Sequence, residues 1–67
     1  MSFCKLKNEK VMYIWSDNIE SETMDIFPKE MTYDYDLEYD IPERVKYSEI
    51  ELFRCDYYGN IETNEIQ

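Results

Sequence analysis

The sequence predicts a mainly β protein: a small antiparallel sheet of five or six short strands, curled or closed into a partial barrel. Three observations predict it. The 67 residues include seven Tyr, three Phe, one Trp and seven Ile but no Ala, so strand-favouring residues abound and the best helix former is missing. Residues Met31 to Ile41 alternate apolar and acidic side chains almost without a break, the period of a half-buried strand. Turn and breaker residues at Asn8, Pro28, Pro42 and Gly59 cut the chain into short runs.

Taken in order, Phe3 to Lys7 and Val11 to Trp15 read as two strands joined by a tight turn at Asn8 and Glu9. Val11, Tyr13 and Trp15 share one face, Met12 and Ile14 the other. Apolar residues on both faces predict a central strand covered from both sides, with Trp15 in the core. Ser16 to Lys29 admits two readings. One is a short helix within 17–27, capped by Ser16 or Asp17; the other, preferred here, is a loop followed by a strand over Thr23 to Phe27. Pro28 ends either element, because it lacks a donor and restrains the residue before it.

Met31 to Ile41 is the acidic strand. Tyr33, Tyr35, Leu37, Tyr39 and Ile41 fall on one parity; Asp34, Asp36, Glu38 and Asp40 fall on the other. In an extended strand those carboxylates stand about 6.6 Å apart on the solvent face. Asp40-Ile41-Pro42-Glu43 reads as a turn. Val45 to Tyr57 is the next extended run, and its mixed parities predict a β-bulge near Glu49. Tyr57-Tyr58-Gly59-Asn60-Ile61 reads as a two-residue hairpin, with Gly59 supplying a positive φ. Ile61 to Ile66 pairs back.

One domain is expected from this length, with a core too small to be robust unless reinforced. Cys4 and Cys55 allow one disulfide. No basic start followed by an apolar core marks a secretory signal, so two free, buried thiols in a reducing cytoplasm are expected. No apolar run approaches a membrane span.

Sixteen acids face seven bases, a formal charge of −9. Three of the lysines lie in the first ten residues, and from Glu30 to Glu43 there are six acids and no base. Such a chain repels nucleic acid and anionic membranes and is steered toward basic proteins. The chemistry of catalysis is missing. There is no His, the serines have no base placed beside them, and one glycine cannot build a phosphate-cradling loop. Paired carboxylates of the glycosidase kind need a cleft that so short a chain has little room for. Read as a calcium loop from Asp34, the row puts Tyr39 where Gly is needed and Val45 where Glu is needed. No enzyme activity, metal or cofactor is expected.

The functional expectation is charge mimicry. Asp34, Asp36, Glu38, Asp40 and Glu43 would meet a basic groove built for DNA or RNA, with Tyr33, Tyr35 and Tyr39 fixing the strand and stacking at its margins. The partner would be a nucleic-acid-binding protein or nuclease. Asp17, Glu20, Glu22, Asp25, Glu49 and Glu51 would widen the strip. In composition and charge alone, the chain resembles the DNA-mimic inhibitors that viruses and mobile elements carry. The alternative is a structural or assembly subunit whose Tyr-rich β surface pairs with other copies or another chain.

Overall fold

A computed structural model of the chain describes residues 2–31 and 40–61. Among these, β1 (Phe3–Leu6), β2 (Val11–Asn18), β3 (Thr23–Pro28), β4 (Glu43–Lys46) and β5 (Ile50–Cys55) form one open antiparallel sheet in the order β4-β3-β2-β1-β5. The expected class is thus found, and β2 is the central strand. No helix forms over 17–27. Asp17 and Asn18 finish β2, residues 19–22 turn, and β3 begins at Thr23. Asn18 Oδ1 accepts the backbone N–H groups of Glu20 and Ser21 at 3.1 Å each, which favours a turn over continued pairing.

One expectation fails at Val45 to Tyr57. That run is not a single strand, although β5 does carry register irregularities against β1 between Ile50 and Leu52 and between Leu52 and Cys55. A 3-10 turn at Tyr47–Glu49 separates β4 from β5, and the two strands lie on opposite edges of the sheet. Glu49 closes the turn by accepting the Lys46 N–H at 3.1 Å. Two backbone bonds tie the turn to both ends of the hairpin system. Tyr47 N–H donates to the Glu22 carbonyl, and Lys7 N–H donates to the Glu49 carbonyl, each at 2.9 Å.

This short crossing dictates the sheet's curvature. Lys46 and Ile50 are four residues apart, so they lie within roughly 14 Å of each other. Four strand spacings in a flat sheet would hold the edges about 19 Å apart. The sheet must therefore curl. Val45 and Ile50, from the two edges, accordingly join one buried cluster with Cys4, Leu6, Met12, Met24 and Ile26.

The convex face is covered as well. Phe3, Tyr13 and Phe27 stand opposite one another on β1, β2 and β3. Tyr57 meets Phe3 edge-on, and Trp15 meets Phe27 the same way. Phe3 and Phe27 are buried beneath this layer. Trp15 departs from its expected core position: it is 38 % exposed. The register slips between Ile14 and Ser16, which makes Trp15 the extra residue of a bulge. It also lies past the last residue of β2 that β1 pairs with, Tyr13.

Neither Cys4 nor Cys55 is in a disulfide, and both are fully buried. Burial, followed by the neighbouring Cys55, pushes the Cys4 thiol up to about 11, far from reactive.

Candidate partner-binding surface

Most of the expected acidic row, Asp34, Asp36 and Glu38 together with Tyr33, Tyr35, Leu37 and Tyr39, lies outside the described residues. Of its remaining members, Asp40 is half-buried and Ile41 is 83 % exposed. Ile41 was expected on the buried parity. It immediately precedes Pro42 at the entry to β4, where the chain is in no strand that would hold it against the sheet. Glu43 opens β4 opposite Ile26 and is exposed at the rim.

Among the described residues, the fold gives the flanking acids Asp25 and Asp17 different surroundings. Asp25 is neutralised within the protein. Arg44 Nε and Nη2 donate to its two carboxylate oxygens at 2.9 and 3.2 Å, and the Ser16 hydroxyl adds a bond at 3.2 Å. The fork follows from β3–β4 register, which sets Asp25 directly opposite Arg44. The Arg44 hydrogen bonds, ahead of the Ser16 bond, hold the Asp25 carboxyl below the usual carboxylate range.

Asp17 meets a different fate one register step away. The bulge at Trp15 re-phases β2, so Asp17 pairs with the buried Met24 and turns toward the concave side. There it accepts the Tyr47 hydroxyl. That bond, then burial, then the charges of Asp17 and Glu22, push the Tyr47 phenol up to about 12. The Glu22 backbone carbonyl accepts the Tyr47 N–H at 2.9 Å. Tyr47 and Phe53 were not singled out as site residues in the sequence. The available signal was the spacing of Lys46 and Glu49, which matches a carboxylate closing the first turn of a helix onto its own cap.

Exposed apolar side chains also include Ile19, Tyr57, Tyr58 and Ile61. Lys29 donates to the Tyr57 carbonyl at 3.1 Å and sits 4.5 Å from that ring's centroid. Among the described residues, no group of three or more His, Cys, Asp or Glu side chains is placed to hold a metal ion. Among the same residues, no helix is long and apolar enough to cross a membrane.

Fold and surface together define a small antiparallel β protein with an acidic exterior. No protein-family model matches the chain, and comparison with curated proteins and with solved structures finds no match.

Proposed function

We propose that this protein binds a basic protein surface, one built to grip DNA or RNA, and blocks it by presenting carboxylates where phosphates would sit. The role is one of binding rather than catalysis, exercised in the cytoplasm. The observation that carries it is the unbroken alternation of Asp34, Asp36, Glu38 and Asp40 with apolar residues, in a chain of net charge −9. Glu43, exposed just beyond Pro42, extends the same negative stretch. Complementary charge of this kind speeds association and weakens with salt.

The test is the triple variant Asp34→Asn, Asp36→Asn, Glu38→Gln in affinity capture from the native host. It should lose the partner that the wild-type chain retains, and wild-type capture should fall steeply as salt rises. Undiminished capture by the variant refutes the proposal. A second reading, assembly through aromatic surface, draws on the exposure of Tyr58 (77 %) and Ile61 (67 %). It expects association that persists at high salt.

A further inference from the structure

A second surface is built entirely from described residues. The crossing turn carries Tyr47 to the rim of the curled sheet, where its ring meets Phe53 of β5 edge-on, with centroids 4.8 Å apart and planes at 89°. Phe53 is 45 % exposed, a large apolar area for a strand residue in so small a protein. Acidic residues adjoin the pair. The Asp17 carboxylate accepts the Tyr47 hydroxyl, the Glu22 backbone carbonyl accepts the Tyr47 N–H, and the exposed Glu51 lies two residues from Phe53 on β5. Two bases adjoin the pair in sequence: Lys46, which stands opposite Thr23 two positions along β4 from the Arg44–Asp25 pair, and the exposed Arg54, next to Phe53 on β5.

An exposed ring close to a carboxylate, on a chain of net charge −9, suits one kind of visitor. A guanidinium is planar, stacks on an aromatic face and pairs with carboxylates in two parallel bonds. The protein already displays that pairing internally, between Arg44 and Asp25. An ammonium has the charge but neither the plane nor the fork.

We propose that Tyr47 and Phe53, with Asp17, Glu22 and Glu51, form a docking surface for an arginine-bearing segment of a basic partner protein. The guanidinium stacks on Phe53 and its charge lies against Asp17 and Glu22. The inference rests on the basic-partner reading above and adds an anchor to it at a separate place.

The probe is a short oligoarginine peptide titrated into the isotope-labelled full chain at low salt and followed by two-dimensional NMR. Resonances of Asp17, Glu22, Tyr47 and Phe53 should shift together. Phe53→Leu, which keeps an apolar side chain, should raise Kd about five-fold, and oligolysine should bind the wild type more weakly than oligoarginine. Glu22→Gln, at an exposed turn, should weaken binding about two-fold without touching the core. Unchanged affinity in both variants overturns the docking surface. If the triple variant at 34, 36 and 38 loses oligoarginine binding while Phe53→Leu and Glu22→Gln do not, the anchor is refuted and the acidic row stands. If the two single variants lose affinity and the triple variant does not, the anchor stands and the row is refuted. No binding of oligoarginine to the wild type removes both.

Discussion

Two turns of this protein have the same backbone and very different sequences. In the β1–β2 turn, Leu6 N–H donates to Lys10 carbonyl and Glu9 N–H donates to Leu6 carbonyl. In the turn after β5, Asp56 N–H donates to Asn60 carbonyl and Gly59 N–H donates to Asp56 carbonyl. Each is a three-residue loop whose third residue is left-handed, at φ 77° for Glu9 and 87° for Gly59. A side chain braces each loop. Asn8 Oδ1 accepts Lys10 N–H at 3.0 Å, while Asp56 Oδ1 accepts both Tyr58 and Asn60 N–H at 2.9 Å. The difference teaches what demands glycine. In the β1–β2 turn the left-handed residue, Glu9, is exposed, so it bears only the local cost of its backbone. The second turn folds back against the sheet, and a Cβ at Gly59 would stand 2.9 Å from Val11 Cγ2 and 3.5 Å from Lys5 Cδ.

Substitutions can break that comparison in order of size. Gly59→Ala adds the left-handed cost to a collision with Val11, and should destabilise by about 2–3 kcal/mol in urea unfolding. A loss no larger than a few tenths would show that the turn does not press on the sheet. Asp56→Ala removes the acceptor of two N–H groups and should cost about 1–2 kcal/mol. Asn8→Ala removes one such bond at an exposed site, and its midpoint should drop by about half as much. Glu9→Gly should go the other way. Relief of the left-handed cost slightly exceeds the added chain entropy, for a gain of about 0.5 kcal/mol. The Lys5–Glu9 contact at 3.8 Å is too exposed to offset this. Destabilisation by Glu9→Gly would mean that the two loops are not equivalent.

The same pair of turns shows what was legible in the sequence. Gly59 announced its turn, although the loop has three residues rather than two. Nothing announced the positive φ at Glu9 or at Glu22, where φ is 56°, because glutamate carries no such preference. The parity switch within Val45 to Tyr57 was visible, but it has two physical solutions. A bulge keeps one strand on one edge; a turn lets two strands occupy opposite edges. Local alternation is the same in both, and only closure of the core over Val45 and Ile50 selects the turn. Trp15 was assigned by its face correctly and by its depth wrongly. Its face follows from its neighbours along β2, whereas its exposure depends on where β1 stops. For the candidate surfaces, the sequence revealed how many acids there are but not which are free. Asp25 and Asp17 look alike in the chain, yet register hands one to Arg44 and turns the other toward Tyr47.

By itself the sequence determined the β class, the short strands on either side of its turn formers and the surplus of negative charge. These depend on residue type and on side-chain alternation within single strands. The crossing from one edge of the sheet to the other, the neutralisation of Asp25 and the meeting of Tyr47 with Phe53 were decided only in the tertiary structure. Each joins residues whose neighbourhood exists only after the sheet has curled, and alternation along one strand carries no record of what stands across from it.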